Sequence, residues 1–574
     1  MTYYQVLVKR GLAMACGDAG SSGVVSRREF TTATALTVLG AAGLLSGSLS
    51  RAVTAGLPGG PLELSLAAAV INRVYRVTAR EPARVTDMPK HEFRGFWLST
   101  VLNIDWPSRS GLTAAAQQTE LRSWLDLARN RNLNAVMLQV RPAADVFWPS
   151  AAGEPWSRYL TGTQGRNPGY DPLAYAIGQA HARNLHLHAW FNPFRVSMTP
   201  NLADLISWHP ARKNPGWTFA FGGRRYYNPG IPAVRSFIIK VIAEVAAKYD
   251  VDGIHLDDYF YPYPVAGQSI PDSAAYNTYR RAGESLADFR RRSVNTFVRD
   301  LSAKIFAAKP RMLFGISPFG IWRNQSTDSR GSATSGLQSY DATFADSRLW
   351  VKQGWIDYVV PQLYWHQGNA AADYNTLVNW WAGQVKGTTC KLYIGEGAYK
   401  VGDAAQGAAW QKPRELYNHT AKCRATSGVS GQVYFSASSV RSNRLNSIGL
   451  VKDKFYRRVA MTPVMSHLGA QRPYAPLIAS ARWNGTAVEL IWRGATSGTL
   501  PRHYAIYRWE SNGAAAAVIP SQAGALRRVQ RRRGNPERFV DTGTVRGRTY
   551  WYVVVGMSDV MVESAAASAI FIRA

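Results

Sequence analysis

The sequence predicts an α/β protein in which a (β/α)8 TIM barrel is followed by a small all-β domain. Between residues 92 and 460, short apolar segments alternate with segments of helical periodicity, which is typical of βα repeats. Residues 461–574 differ, because short alternating segments rich in β-branched and aromatic residues are separated by glycine and polar turns. Eight βα repeats over this length favour a barrel with long loops.

Each barrel strand corresponds to one short apolar segment. The eight segments are Phe93–Val101, Ala135–Val140, Leu185–Phe191, Gly253–Leu256, Leu313–Ser317, Tyr358–Leu363, Leu392–Gly395 and Val433–Phe435. The helical segments between them include Thr113–Asn130, Pro172–Asn184, Val234–Tyr249, Ser285–Ala308, Ala342–Gln353 and Pro413–Thr426. A doubly wound open sheet is the alternative, but no glycine-rich phosphate loop follows the first strand. The barrel is therefore the prediction for residues 92–460.

The all-β prediction for residues 461–574 rests on four alternating segments. They are Leu477–Trp492, Arg502–Trp509, Arg538–Asp541 and Tyr550–Met557. Their pattern resembles a fibronectin type III β-sandwich. We assign no chemistry to this domain.

Residues 1–55 are predicted to be a twin-arginine signal peptide, and residues 56–91 a linker. Arg27 and Arg28 precede an uncharged stretch, Thr31–Ser50, and Val53-Thr54-Ala55 then offers small residues for cleavage. The alternative is a single membrane anchor, which the many Gly, Ser and Thr residues of the stretch disfavour. We expect an exported protein of the periplasm or cell envelope, with no integral membrane domain after cleavage.

The chain is strongly basic, with 67 Lys and Arg against 37 Asp and Glu and a net charge of +30. Such a surplus attracts polyanions, so an anionic envelope polymer is a candidate partner. The densest run, Arg527 to Arg533, is interpreted either as a solvated loop or as a polyanion contact. No zinc-knuckle or RNA-recognition signature accompanies it, so we expect no nucleic-acid partner.

The cysteines and histidines do not indicate a metal site. No two of the three cysteines have metal-ligand spacing, and no histidine–carboxylate pair does, so we expect no metal and no cofactor. Cys390 begins the seventh predicted strand and Cys423 lies near the end of the next helix. Both positions fall at the bottom of the barrel, where the two residues form either a disulfide or two buried free thiols.

The C-terminal ends of the predicted strands, where TIM barrels build their active sites, carry many polar and aromatic residues. Aromatic rings stack on the apolar faces of sugars, while amides and arginines bond to sugar hydroxyls. The pattern therefore predicts a sugar-binding mouth. Its candidate substrate-binding residues are Trp97, Asp105, Trp106, Arg141, Asp145, Trp190, Asn192, Arg195, Tyr259, Tyr261, Trp322, Arg323, Gln362, Tyr364, Trp365 and Tyr399.

The candidate catalytic residues are carboxylates, because glycoside hydrolysis needs a protonated acid and usually a second carboxylate as base or nucleophile. Asp257 and Asp258 end the fourth strand, and one of them can point into the mouth while the other bonds to the loop. The alternative is that both are structural. Glu396, between two glycines at the end of the seventh strand, is the candidate second carboxylate, with Asp105 and Asp145 as competitors.

Sequence blocks at these strand ends resemble a bacterial family, the glycosyl hydrolase-like ten domain proteins, which includes a divisome-localised peptidoglycan glycosyl hydrolase. The blocks include Arg94-Gly-Phe-Trp-Leu-Ser-Thr, Gln139-Val-Arg-Pro-Ala-Ala-Asp, His188-Ala-Trp-Phe-Asn-Pro-Phe-Arg, Val251-Asp-Gly-Ile-His-Leu-Asp-Asp-Tyr-Phe-Tyr and Pro361-Gln-Leu-Tyr-Trp. The resemblance implies a barrel hydrolase of the cell envelope that acts on a glycan. It favours Asp257 and Asp258 over Glu396, whose position is not acidic in every member.

The predicted function is an exported glycoside hydrolase that cleaves a cell-wall glycan, peptidoglycan strands in particular, by carboxylate acid/base catalysis. The alternative is a non-catalytic glycan-binding or scaffold protein of the envelope, which the basic surface also fits. A barrel esterase or deacetylase is disfavoured, because the sequence has neither a Gly-x-Ser-x-Gly elbow nor a convincing metal triad.

Overall fold

The structure is a computed structural model that describes residues 88–469, 471–510 and 523–574. The predicted signal peptide, residues 1–55, and most of the predicted linker, residues 56–91, lie outside the described residues. Within the described ranges, no helix has both the length and the apolar character that a membrane crossing requires.

The secondary structure alternates between strands and helices up to residue 454 and is mainly strand afterwards. The strands are β1 (Phe93–Leu98), β2 (Ala135–Arg141), β3 (His186–Phe191), β4 (Arg195–Ser197), β5 (Thr218–Phe221), β6 (Arg224–Tyr227), β7 (Gly253–Leu256), β8 (Leu313–Ile316), β9 (Tyr358–Val359), β10 (Lys391–Glu396), β11 (Val429–Tyr434), β12 (Leu477–Trp483), β13 (Val488–Arg493), β14 (His503–Glu510), β15 (Leu526–Arg531), β16 (Glu537–Asp541), β17 (Thr549–Met557), β18 (Glu563–Ala566) and β19 (Ile570–Arg573). The helices are α1 (Ala114–Asn130), α2 (Arg158–Thr161), α3 (Pro172–Ala182), α4 (Pro210–Lys213), α5 (Pro232–Lys248), α6 (Ser273–Tyr279), α7 (Leu286–Ala308), α8 (Ser339–Ala342), α9 (Ser347–Lys352), α10 (Tyr374–Val385), α11 (Glu415–Ala425), α12 (Ala437–Ser442) and α13 (Ser447–Lys454).

Eight parallel strands close into a barrel in the order β1-β11-β10-β9-β8-β7-β3-β2, which confirms the predicted fold class. All seven residues of β2 are buried, as expected for a strand that is covered by the barrel interior on one face and by helices on the other. Helix α1 is an example of the helices that form the outer layer of the barrel. The Thr113 side chain caps it by accepting a hydrogen bond from the Ala116 amide, and Leu121, Trp124 and Leu125 are buried.

Aromatic side chains fill the barrel interior. The rings of Phe93 and Tyr393 stack 4.2 Å apart, and Tyr358 packs 5.3 Å from Tyr393. Trp97 and Trp190 belong to the same buried cluster. Among the described residues, this packing fills the lower barrel and leaves the C-terminal mouth as the place where a ligand can enter.

Several elements of the barrel were not predicted from the sequence, among them a small sheet and helix α10, and one predicted helix is divided. The loop after β3 carries a small antiparallel sheet in the order β4-β6-β5, and α10 lies between β9 and β10. The predicted helix Ala342–Gln353 is interrupted before α9, whose first turn is capped by Asp346. The Asp346 side chain accepts from the Leu349 amide, so the chain starts a new helix there.

The C-terminal strands form antiparallel sheets, which confirms a small all-β domain. One sheet has the order β12-β13-β16, and the other has the order β15-β14-β17-β18 with β19 also paired to β17. The likeness to fibronectin type III domains stays a prediction. The arginine run is not a solvated loop, because part of it forms β15. Arg531 is buried and bonds to Asp252 of the barrel at 3.0 Å.

Cys390 and Cys423 are buried free thiols, so the disulfide alternative is wrong. Cys390 immediately precedes β10, whereas the Cys423 Sγ lies 3.1 Å from the Tyr374 hydroxyl, which bonds to Glu396 at the far end of that strand. Six strand residues rise roughly 20 Å. A disulfide requires Cα atoms within about 7 Å, so this separation is too large.

Candidate active site

A narrow pocket opens at the C-terminal ends of the barrel strands. Six strands contribute residues to this pocket, and β7 contributes two carboxylates. Its lining residues are Trp97 of β1, Trp190 of β3, Asp257 and Asp258 after β7, Ser317 after β8, Gln362 and Tyr364 after β9, and Phe435 after β11. The pocket therefore brings together six of the residues that the sequence predicted, including both aspartates.

Asp257 lies on the β3 side of the pocket. Its Oδ2 accepts hydrogen bonds from the Trp190 indole and the Asn192 amide, both at 3.1 Å, and its Oδ1 accepts from the Tyr259 amide. Burial and the charge of Asp258 raise the pKa of Asp257 to about 7, against the lowering effect of Arg195. Near neutral pH this carboxyl can therefore hold a proton and donate it.

Asp258 lies beside Asp257 at the end of β7 and points the other way along the rim, toward β9. Its Oδ1 accepts from the Gln362 amide at 3.1 Å, and its Oδ2 accepts from the Tyr263 hydroxyl. Burial raises the pKa of Asp258, while the hydrogen bonds from Tyr263 and Gln362 act in the opposite direction. Because two adjacent buried carboxylates resist ionising together, a proton on Asp257 favours the ionised form of Asp258.

A hydrogen-bonded layer supports the floor of the pocket. The Trp97 indole donates to the His255 Nε2 at 3.0 Å, and the Ser317 hydroxyl lies 3.1 Å from the same nitrogen. The Tyr358 hydroxyl lies 3.2 Å from the other ring nitrogen of His255. Burial lowers the pKa of His255 well below its usual range, so this ring is neutral and fixes the orientation of Trp97.

Aromatic rings form the wall opposite the carboxylates. Phe435 lies 6.2 Å from both Trp97 and Tyr364, measured between ring centroids. Tyr399 packs edge-on against Tyr364 at 6.0 Å. Tyr364 and Phe435 are half-buried, so each exposes part of its ring to a ligand. Such rings suit the apolar face of a sugar.

Three more of the predicted residues surround Asp257 without lining the pocket. Asn192 donates to Asp257 and accepts from the Arg195 amide at 3.1 Å. The Arg195 guanidinium donates to the Pro142 carbonyl and lies 5.2 Å from the centroid of the Tyr259 ring. These residues position the carboxyl and provide positive charge beside it.

Two predicted residues stabilise the loops of the mouth. Arg141 is fully buried and forms a two-pronged ion pair with Glu154 at 2.6 and 2.5 Å, while its Nη1 donates to the carbonyl of Asn192. Asp105 accepts from the Ser99 amide at 2.8 Å and from the Ser436 hydroxyl at 2.8 Å. It therefore joins the loop after β1 to the turn after β11, which excludes it as the second pocket carboxylate in this geometry.

The remaining predicted substrate contacts, Tyr399 among them, do not line the pocket. The side chains of the other six contact residues elsewhere. The Trp106 indole donates to the Gln117 carbonyl, the Trp322 indole donates to Asp346, Arg323 pairs with Asp341 and Asp328, and Asp145 accepts from the Arg158 amide. Tyr261 packs on Phe344, and Trp365 packs on Phe319.

Glu396 does not line the pocket either. Gly395 faces the barrel interior, so the next side chain along β10 points outward into the helix layer. There the Glu396 carboxylate accepts from the Tyr374 hydroxyl at 2.5 Å and lies 2.8 Å from the His419 Nδ1. Its side chain is fully buried. Glu396 therefore forms a buried structural ion pair and does not reach the substrate.

Sequence reasoning missed three residues of the site. Ser317 and Phe435 line the pocket, and Tyr263 donates to Asp258. Ser317 and Phe435 each directly follow or end a predicted strand, so the strand-end rule could have included them. Tyr263 lies in a loop, and no periodic signal marked it. Among the described residues, no cluster of three or more His, Cys, Asp and Glu is arranged to hold a metal ion.

Comparison with known proteins identifies the family. A model described as glycosyl hydrolase-like 10 matches residues 92–412. Glycosyl hydrolase YngK of Bacillus subtilis strain 168 is 40% identical over 481 residues, which cover 83% of this chain and 92% of that protein. Glycosyl hydrolase DigH of Escherichia coli K12 is 40% identical over 342 residues, covering 57% of this chain and 77% of its own. Among solved structures, the PgaB (BpsB) glycoside hydrolase domain from Bordetella bronchiseptica is 15% identical and aligns with a TM-score of 0.43, over 64% of this chain and 99% of that one. The chain therefore belongs to the glycosyl hydrolase-like 10 family, and it is a glycoside hydrolase.

Proposed function

We propose that this enzyme is exported and cleaves the glycan strands of peptidoglycan, with Asp257 and Asp258 as its acid/base pair. The observation that carries the proposal is the placement of both carboxylates in one aromatic pocket at the barrel mouth. Asp257, whose pKa is raised to about 7, is the proton donor to the leaving oxygen. Asp258, which accepts hydrogen bonds from Tyr263 and Gln362, is the ionised partner.

The choice of peptidoglycan rests on three features of the sequence. The strand-end blocks resemble a family that includes a peptidoglycan glycosyl hydrolase, and the twin-arginine motif at Arg27-Arg28 favours export to the compartment that holds this polymer. The net charge of +30 favours contact with acidic envelope polymers.

The test is product analysis after incubation of the purified protein with peptidoglycan sacculi. Sacculi with intact stem peptides and sacculi stripped of them by an amidase are compared, and soluble fragments are identified by mass spectrometry. We expect release of glycan fragments by the wild type and loss of release in Asp257→Asn. Arg323→Lys, at the ion pair with Asp328 outside the pocket, is the control that should keep its activity. Binding to sacculi without fragment release would favour the scaffold alternative.

Export is tested separately. The first 55 residues are fused to a reporter that is active only after twin-arginine transport, and Arg27→Lys/Arg28→Lys is the control. Transport that does not depend on the arginine pair would contradict the predicted route.

A further inference from the structure

The two carboxylates of the pocket lie on one side of it. Both follow β7, and in the closed strand order β7 stands opposite β11, whose contribution to the pocket is Phe435. A phenyl ring cannot act as a base or as a nucleophile. The strands next to β11 do not replace it, because Glu396 of β10 points into the helix layer and Asp105 after β1 is bonded to the turn after β11.

This arrangement does not match the usual requirement for glycoside hydrolysis. Both common routes place a second carboxylate across the sugar from the acid, at about 5 Å for a nucleophile or roughly 6.5–9.5 Å for a base that activates water. Within the part of the chain that the structure describes, no carboxylate other than Asp257 and Asp258 lines the pocket. The atom that attacks the anomeric carbon of the sugar must therefore come from a group other than a second carboxylate of the protein.

We propose that the attacking atom is the carbonyl oxygen of a 2-acetamido group on the bound sugar, with Asp258 holding the N–H of that group. The proposal rests on the proposed function and narrows it, since it restricts the enzyme to glycans with an N-acetylated amino sugar on the non-leaving side of the cleaved bond. Asp258 is a catalytic residue here, and Tyr263 and Gln362 are the positioning residues that orient it.

The first step forms a ring on the sugar. The acetamido oxygen attacks C1, the bond from C1 to the glycosidic oxygen breaks, and its electron pair goes to that oxygen, which takes the proton of Asp257. The amide N–H proton moves to Asp258 as the oxazoline forms. Asp257 is then ionised and Asp258 protonated, so the charge of the pair is unchanged.

The second step reverses the first with water. Asp257 removes a proton from water as the water oxygen bonds to C1, the bond from C1 to the acetamido oxygen breaks, and its electrons restore the amide. The nitrogen regains its proton from Asp258. Two displacements at C1 give a product with the same anomeric configuration as the substrate.

The pocket fits the acetamido group in its shape as well as its chemistry. A narrow space beside the carboxylates is bounded by the rings of Trp97, Tyr364 and Phe435, and an acetamido methyl is the apolar part of the sugar that such a space accepts. Asp258 has lone pairs left after its bonds to Tyr263 and Gln362, so it can accept the amide N–H as well.

The experiment uses peptidoglycan strands whose N-acyl groups are exchanged. The strands are first chemically N-deacetylated. One portion is then reacetylated as the matched control, and the other is trifluoroacetylated. The trifluoroacetyl group makes the carbonyl oxygen a weak nucleophile. We expect the wild type to cut reacetylated strands at the native rate and trifluoroacetylated strands at least 100-fold more slowly. NMR of the first product should show retained configuration.

The outcomes separate this inference from the proposed function. No cleavage of native or reacetylated strands contradicts the proposed function and the inference with it. Cleavage of acetyl and trifluoroacetyl strands at equal rates, or inversion at C1, overturns the inference alone.

A binding measurement gives a second readout that does not depend on turnover. The thiazoline analogue of N-acetylglucosamine resembles the cyclised intermediate. We expect it to raise the Tm of the wild type by several degrees and to have no effect on Asp258→Asn, while Arg323→Lys should respond like the wild type. An equal shift in Asp258→Asn would contradict the role of Asp258 in holding the acetamido N–H.

Discussion

Asp257 combines two effects that act in the same direction. Its carboxyl is withdrawn from water and stands next to the carboxyl of Asp258, and both effects disfavour its ionised form. The hydrogen bonds from Trp190 and Asn192 keep the group oriented. A buried acid of this kind matches its pKa to the pH at which it must donate a proton.

The pH profile of the reaction follows from this. Because the acid must be protonated, we expect kcat/KM to fall as the pH rises through about 7, the pKa of Asp257. Asp257→Asn should lower kcat by about 10²–10⁴ and remove the alkaline limb. Initial rates on solubilised strands between pH 5 and 9 measure both effects. An unchanged alkaline limb in the variant would assign the proton donor to another group.

Glu396 shows how a residue at a strand end can be structural. Burial acts to lower the pKa of His419, but the charge of Glu396 and its hydrogen bond outweigh burial and raise the pKa. Protonated His419 lies between Glu396 and Glu415, at 2.8 and 3.1 Å. Since the folded pKa is above the ordinary 6.5, this stabilisation is complete below pH 6.5 and is lost as the pH rises through the folded value.

Glu396→Gln should therefore change stability and not chemistry. The amide keeps the shape but loses the charge, so we expect a cost of about 1–3 kcal/mol in unfolding free energy at pH 6 and a smaller cost at pH 9. The kcat on glycan strands should stay within about threefold of the wild type. Denaturant unfolding at the two pH values and steady-state rates provide the measurements. A loss of activity comparable to that of Asp257→Asn, with the fold intact, would return Glu396 to the catalytic candidates.

At the scale of elements, strands were predictable and side-chain directions at their ends were not. All eight barrel segments were predicted because parallel strands buried on both faces give unbroken apolar runs, as in β2. Asp257 and Glu396 both come at strand ends, yet one lines the pocket and the other faces the helices. The register of a strand of four to six residues is set by its neighbours in the barrel, so sequence alone left this choice open.

The loop after β2 depends on one buried ion pair. Arg141 and Glu154 are both fully buried, and Arg141 also donates to the carbonyls of Asn192 and Pro193 in the loop after β3. Burial acts to lower the pKa of Arg141, but the charge of Glu154 outweighs it and raises the pKa. The pair therefore connects two loops, one of which carries Asn192 to Asp257.

Arg141→Lys should reduce both stability and rate. Lysine keeps the charge but cannot form the two-pronged bond and the carbonyl bonds together, so we expect a loss of about 3–5 kcal/mol in unfolding free energy. Asn192 should then lose its fixed position, and kcat should fall at least tenfold in the folded variant. Arg323→Lys changes a less buried two-pronged ion pair outside the pocket and should reduce stability alone. Equal kcat values for the two variants would contradict the positioning role.

At the scale of the whole molecule, the β domain covers the bottom of the barrel. Met465, Leu468 and Val560 belong to the same buried cluster as Phe93 and Leu313 of the barrel interior. Arg531 of β15 bonds to Asp252 beside them. The barrel floor is thus completed by residues that follow position 460, and we expect the two parts to unfold together.

Stacked histidines make this contact sensitive to acid. The rings of His186 and His503 lie 5.7 Å apart across it, and His188 follows 6.3 Å from His186. Burial lowers the pKa of all three rings, to about 3 for His188, so they are neutral in the folded protein. Because their folded pKa values lie below the ordinary 6.5, their contribution to stability is present above pH 6.5 and is lost as the pH falls below it.

We therefore expect the unfolding free energy to fall between pH 6.5 and 4.5, by up to about 1.4 kcal/mol per pH unit for each neutral histidine. His503→Gln keeps a polar side chain that cannot be protonated, so its stability should fall less steeply with pH than that of the wild type. Urea unfolding of both proteins at half-unit pH steps measures the two slopes. If the unfolding free energy of both proteins falls equally steeply with pH, then either His503 is protonated in the folded state or acid acts on a different group. In that case Asp252 would be the next group to test, because Arg531 and the bond from His181 hold its pKa well below the usual range against the effect of burial.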